Sequence, residues 1–137
     1  MRSLVPCPYC DLAELRRDAF VLENDLCLLS IKASETGALE GAGIIVPKAH
    51  RVTAFDLTAG EWAATQELLL QVKAHLDAQL APDGYNVGWN VGDVGGQHVM
   101  HAHLHVIPRF ADEPKAGQGI RSHLKSAENR RLHLPRV

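Results

Sequence analysis

The chain has 137 residues, 46% apolar and 22% charged, with a formal charge of -2. That length and balance belong to one ordinary globular domain with enough chain to bury a real core, and they exclude a disordered polypeptide. No apolar run approaches the roughly 20 residues that span a bilayer, and the near-neutral charge argues against a general nucleic-acid binder. The stretch from Met1 to Cys10 has no apolar core of a secretory signal, and the cysteines number three. An odd count without a signal makes a disulfide framework a poor reading, so a reduced, cytoplasmic protein is expected. The charge is uneven: residues 109–137 carry seven Lys/Arg against three Asp/Glu, and residues 1–108 carry seven against thirteen. A basic tail on an acidic body is usually a solvated surface, and it also suits an anionic ligand.

In chain order, Pro6-Cys7-Pro8-Tyr9-Cys10 reads as a turn-rich knuckle, with a short helix over Leu12–Arg17 after it. Phe20–Glu23 and Leu26–Ile31 read as strands joined by the turn pair Asn24-Asp25, with Cys27 as a small buried hydrophobe. Ser34–Gly43 is a loop, and Gly43–Pro47 is an apolar strand with Lys48-Ala49-His50 at its exit. Thr58–Leu80 is the strongest helix. It opens on the capping box Thr58-Ala59-Gly60-Glu61, carries Trp62, Leu69, Val72, Leu76 and Leu80 along one face, and is stopped by Pro82-Asp83-Gly84. Trp62 is read as a core or interface residue. Tyr85–Asn90 is a strand, Gly92–Gln97 a loop, Val99–Pro108 the last strand, and Ile120–Arg130 a short helix in the tail. One long helix cannot serve crossovers among five strands, so the sheet should be mainly antiparallel and the class α+β.

The densest chemistry is Met100-His101-Ala102-His103-Leu104-His105-Val106-Ile107. On a strand, alternate residues share a face, which sends His101, His103 and His105 one way and Ala102, Leu104 and Val106 into the core. Three imidazoles in a row fit three kinds of chemistry. They can grip a metal, act as a nucleophile poised near neutral pH with its neighbours orienting it, or form a pH-sensing interface. Gly95-Gly96-Gln97-His98 lies directly before the row. Glycines let backbone N–H groups approach an anion and Gln or His side chains donate to phosphate oxygens, so the pairing points to a phosphoryl group beside a nucleophile.

The combination resembles the histidine triad (HIT) family, whose signature alternates three histidines with apolar residues and ends on two apolar positions. His101-Ala102-His103-Leu104-His105-Val106-Ile107 matches at every place, and Ile45-Val46-Pro47-Lys48-Ala49-His50, Asn90 with its glycine-rich loop, and Gly95-Gly96-Gln97 agree in order. The resemblance covers roughly Phe20 to Pro108 of what would be a single HIT-like domain over 1–137. It implies a five-stranded antiparallel sheet with one long helix, joined to a second copy in a homodimer. It also implies a purine nucleotide substrate, cleaved at the α-phosphate of a nucleoside phosphoramidate or dinucleoside polyphosphate through a nucleotidyl-histidine. A nucleotidyl transferase and a nucleotide-binding regulator are the alternatives. By the same resemblance His103 is the nucleophile and His105 binds the α-phosphate oxygens. His101, with His50 behind it, holds the reactive tautomer of His103, and Gln97 contacts phosphate and leaving group. Asn90, Gly96, Gln97, His98 and His105 form the substrate-binding set. Two places depart from the pattern: His98 stands where many relatives carry Ser, and Ser30-Ile31-Lys32 stands where Asp or Asn is usual for the ribose hydroxyls. Lys32 would favour extra phosphates. Lys115, Arg121 and Lys125 of the basic tail, residues 109–137, are expected to line the leaving-group side.

Cys7-Pro8-Tyr9-Cys10 is half a zinc site by spacing. Bacterial members resembling this chain carry such a pair, and the resemblance completes the ligand set as Cys7, Cys10, His50 and His101. That zinc would be structural, clamping an N-terminal arm over residues 1–17 to the sheet. The chemical step would need no metal.

Overall fold

Two short apolar runs meet first in the hairpin of β1 (Phe20–Glu23) and β2 (Cys27–Ile31). The turn is held by Asn24, whose Oδ1 accepts from the N–H groups of Leu26 and Cys27 and whose Nδ2 donates to the Ala64 carbonyl. This is an Asn closing a turn through its own side chain. β3 (Gly43–Pro47), β4 (Gly84–Trp89) and β5 (Leu104–Arg109) complete one sheet in the order β1-β2-β3-β5-β4, antiparallel throughout. The computed structural model describes residues 6–132; the outermost five residues of the expected arm and of the expected tail lie outside the described residues. Among the described residues no helix is long and apolar enough to cross a membrane.

The long helix α2 spans Ala59–Leu80, after the five-residue α1 (Leu12–Arg16). Its start is the expected capping box: Thr58 Oγ1 accepts from Glu61 N–H at 3.1 Å while Glu61 Oε1 accepts from Thr58 N–H at 2.8 Å. Its end is Ala81 in the left-handed region, just before Pro82. The buried stripe is Glu61, Thr65, Leu68, Val72 and Leu76. It is displaced from the expected face, since Trp62 is 43% exposed and Leu68 is fully buried. Leu68, Val72 and Leu76 pack on Cys27, Leu29, Ile45, Leu104 and Val106 from the sheet. The other sheet face buries Leu28 and Val46 under Leu15 of α1, and Ser30 Oγ donates to the Leu15 carbonyl at 2.6 Å. The N-terminal arm thereby covers part of the face opposite α2.

Two expected elements differ. The last strand begins at Leu104, not Val99, because its partner β4 ends with the pair Trp89–Leu104 and Ala102 N–H turns away to the Arg51 carbonyl at 2.7 Å. Ile120–Arg130 forms turns and one 3-10 turn at Ala127–Asn129, not a helix. Ile120 and Leu124 are each 63% exposed, so no buried apolar face supports a helix too short to stand alone.

Glu23 ties three elements at one corner. It accepts from the Arg16 guanidinium at 2.9 and 3.0 Å and pairs with Lys48 at 3.0 Å, linking α1, β1 and the exit of β3. The Arg16 hydrogen bonds, then the one from Lys48, hold its carboxyl down at about 2. A carboxylate lowered on folding stabilises above its ordinary value and loses that contribution as pH falls toward the folded value. Glu23→Gln should therefore lower the melting temperature at pH 7 by no more than about 4 °C, since the pair is partly solvated. In thermal melts against pH, the gap from the unaltered protein should close between about pH 4.5 and 2.

Candidate active site and metal centre

The late start of β5 leaves residues 99–103 outside the ladder, and this sets how the three histidines stand. His105 lies on β5; His103 and His101 precede it in irregular backbone. All three come together, but not as a row on an open strand face: His101 is fully buried and His103 is 6% exposed. The His103 and His105 ring centres are 4.8 Å apart.

Hydrogen bonds select the tautomers. His103 Nδ1 donates to the His101 carbonyl at 2.9 Å, which leaves Nε2 with a free lone pair. His101 Nε2 donates to the Pro47 carbonyl at 2.8 Å, which leaves its Nδ1 as an acceptor or ligand. That Nδ1 faces Cys7 Sγ at 3.4 Å and Cys10 Sγ at 3.5 Å, and Cys10 Sγ is 3.3 Å from His50 Nδ1. The four donor atoms of Cys7, Cys10, His50 and His101 all lie within 4.8 Å of one another. Tetrahedral zinc, with bonds of about 2.3 Å to S and 2.0 Å to N, needs S···N edges of roughly 3.5 Å. The donor set could hold a metal ion: two soft sulfurs, two imidazoles, and one imidazole already oriented through its second nitrogen. Burial pushes the His101 imidazole below its usual range, against the Pro47 hydrogen bond and with help from His50 and His103, so the ring is neutral near pH 7, the form a metal requires. Burial, then His103, does the same to His105, which keeps one N–H to donate.

The glycine-rich loop behaves differently from expectation. A side chain at Gly95 would collide with the Val91 carbonyl, and Gly96 has φ +92°, so both positions need glycine. The N–H groups of Gly95, Gly96 and Gln97 are spent inside the loop, on the carbonyls of Gly92, Asp93 and Gly92. Gln97 is 1% exposed. Its Nε2 donates to the Val52 and Val99 carbonyls and its Oε1 accepts from Gly92 N–H. Expected to donate to phosphate, Gly96 and Gln97 instead fix the loop that delivers the histidines. His98 is exposed. Asn90 lines a cavity of about 330 Å³ together with His105, Trp89 and Ile120.

Three residues were missed. Tyr9 sits edge-on to His103, with ring centres 5.0 Å apart; its place between two cysteines that converge on His101 was the available signal. Arg51 Nε donates to Glu61 Oε1 at 2.9 Å while the Arg51 carbonyl holds Ala102, between the two buried histidines. Burial alone would raise the Glu61 carboxyl, but hydrogen bonds from Thr58 and Arg51 outweigh it and hold the group below its usual range. Arg109 shares the alternation of His105 and Ile107 along β5, and anchors the tail. Of the tail cations, Lys115 lines a cavity beside Arg109; Arg121 and Lys125 do not line it.

Known proteins share this fold. A HIT family protein from Bacillus anthracis superposes with a TM-score of 0.69 at 26% identity, over 90% of this chain and 86% of that one. A zinc-bound histidine triad family protein from Mycobacterium smegmatis superposes at 0.65 and 23% identity, over 79% of this chain and 78% of that one. An adenosine 5'-monophosphoramidase of Schizosaccharomyces pombe is 33% identical over 89 residues, 65% of this chain and 64% of its own length. The model of the HIT domain matches residues 16–112, from the end of α1 past the whole histidine row. With the triad, its loop and the sheet all inside that span, the chain belongs to the HIT family.

Proposed function

We propose that the protein is a nucleotide hydrolase that forms a nucleotidyl-histidine on His103. The observation that carries this is the 2.9 Å hydrogen bond from His103 Nδ1 to the His101 carbonyl, which commits the ring to the tautomer with a nucleophilic Nε2. The Nε2 lone pair attacks the α-phosphorus of a purine nucleotide. The bond from phosphorus to the leaving nitrogen or bridging oxygen breaks, and the departing group keeps that electron pair. Water then attacks phosphorus, the P–N bond to His103 breaks, and the nucleoside monophosphate is released. His105 donates to a non-bridging oxygen as charge grows there, with Asn90 lining the same cavity. Lys32 lines the cavity on the β2 side of His105 as a hydrogen-bond donor, its charge met by Glu14 at 3.1 Å.

AMP release from adenosine phosphoramidate tests this. His103→Ala should abolish it, by about a thousandfold or more, and His105→Ala should slow it about 100-fold. Intact-mass measurement after rapid mixing should find a nucleotidyl adduct on the unaltered protein and none on His103→Ala. Turnover that survives in His103→Ala would refute the covalent scheme.

Zinc is the metal the donor set favours, held by Cys7, Cys10, His50 and His101. Bound there, it supplies a closed structural crosslink between the arm and the histidine segment. Elemental analysis of purified protein should find about one zinc per chain, and Cys7→Ser with Cys10→Ser should lose it and lower the melting temperature. Metal content unchanged in that double variant would place the ion elsewhere.

The second copy expected from the resemblance has a surface to meet. β4 is an edge strand with an unpaired outer side, and its Val87 and the neighbouring Trp62 of α2 are 37% and 43% exposed. A long apolar edge left open invites pairing, and a cavity of about 600 Å³ bounded by Trp62, Leu69, Val87 and Trp89 runs along it. Light scattering should give twice the 15.0 kDa chain mass, and Trp62→Glu should shift the protein toward the single-chain mass.

A further inference from the structure

The two cysteines of the arm differ from the third in what can reach them. Cys10 is exposed and Cys7 half-buried, whereas Cys27 is fully buried and packed in the core beneath α2. Cys10 N–H donates to the Cys7 carbonyl at 3.2 Å, so the pair closes a four-residue turn. Such a turn keeps its end Cα atoms within about 7 Å, and a disulfide spans roughly 4.4–6.8 Å between its own. Both sulfurs belong to the donor set whose atoms lie within 4.8 Å of one another. Joining them asks for side-chain rotation on a turn that already exists.

The segments on either side of this turn are held without the sulfurs. The helix α1 is capped by Asp11 and packs through Leu15 on Leu28 and Val46. The Ser30 hydroxyl holds the Leu15 carbonyl at 2.6 Å, and Arg16 holds Glu23. His101 keeps its hydrogen bond to Pro47 through its other ring nitrogen. Residues 7–10 can therefore change covalently while the sheet, α1 and His101 stay in place. Tyr9, inside the turn, has its ring edge-on to His101 and His103, with ring centres 6.1 and 5.0 Å away. The part that changes borders the ring of His103.

We propose that Cys7 and Cys10 are a site of reversible oxidation by peroxide, and that their disulfide releases the metal ion. The inference rests on the zinc reading of this donor set and is independent of the reaction at His103. The sulfur of the exposed Cys10 attacks one oxygen of hydrogen peroxide. The O–O bond breaks, leaving a sulfenic acid on Cys10 and a hydroxide that takes a proton to become water. The sulfur of Cys7 then attacks the Cys10 sulfur, the S–O bond breaks, and a second hydroxide leaves and is protonated to water as the S–S bond forms. The two sulfurs have given two electrons to the peroxide. A thiolate is the form of cysteine that binds a metal. Once the sulfurs are bonded to each other, only His50 and His101 remain of the four donors, too few for a closed zinc site.

The zinc-loaded protein is titrated with hydrogen peroxide while a chromogenic chelator reports free zinc. Zinc should appear in step with the loss of two of the three thiols, about one ion per disulfide. The mass of the denatured chain should fall by about 2 Da. Peptide mapping should place the bond between Cys7 and Cys10 and find Cys27 unreacted. Dithiothreitol with added zinc should restore the mass and the metal content. Zinc retained after oxidation, release without a Cys7–Cys10 bond, a bond to Cys27, or oxidation that dithiothreitol does not reverse overturns the proposal. If the purified protein holds no metal, the zinc reading fails separately, and the metal-free chain decides the oxidation site. A loss of about 2 Da mapped to Cys7 and Cys10 supports it, and an unchanged mass overturns it.

Discussion

The site depends on the hydrogen bond from His101 Nε2 to the Pro47 carbonyl. That bond ties a fully buried imidazole to the end of β3 and decides which nitrogen is left over. The remaining Nδ1 faces two cysteines of the arm. The backbone carbonyl of the same residue receives the His103 Nδ1 proton. One residue thus joins the sheet, the arm and the His103 ring through its two ring nitrogens and its carbonyl. Rotating the His101 ring would disturb the metal donors and the Pro47 contact together, and displacing its backbone would release His103. A residue this committed belongs to the frame of the site more than to its chemistry.

The frame is braced from the far side as well. Burying Glu61 is costly unless its charge is met, and it is met twice, by the Thr58 N–H at the helix start and by Arg51. Arg51 then spends its carbonyl on Ala102, between His101 and His103. The first turn of α2 is therefore mechanically connected to the histidine segment, although no atom of the helix faces the cleft through that path. Gln97 does the same work from the loop side through Val52 and Val99. Between them, the backbone on either side of the histidines is pinned at Pro47, the last residue of β3, and at Arg51 and Val52 in the short run after it.

How much of this was legible in the sequence follows from what each signal encodes. Periodicity reports burial, and it located the five strands and α2 because each has a buried side. It misplaced the start of β5, because Val99–Leu104 alternates like a strand while its pairing partner stops at Trp89. Pairing is a property of two segments, and one segment does not carry it. The capping box was readable from Thr58 and Glu61 alone, whereas the second use of Glu61, on Arg51, needed the fold. Spacing announced half a metal site at Cys7 and Cys10. The convergence of His50 and His101 on it came from the family resemblance, since those residues are 40 and more positions away. The loop backbone requires glycine at 95 and 96, but residue type does not say whether an N–H is free. Here closing the turn uses every one of them.

The tail was the least legible part, and the reason is physical. Residues 110–132 have turns without a repeating apolar period, so nothing in them predicts a position. Their placement is set from outside, by a strand residue. Arg109 falls in the same alternation as His105 and Ile107, so it must emerge on the cleft face of the sheet. A guanidinium there, with five donors in a rigid fork, can gather carbonyls that have no other partner. It takes two from the tail and adds Glu113, and the segment is then held over β4 closely enough for Ile120 to touch the space above Gly88. Because the scaffold fixes only the latch, the residues beyond it are free to vary without disturbing the histidines. The cavity wall built by the tail can therefore change while the backbone that holds His101 and His103 stays the same.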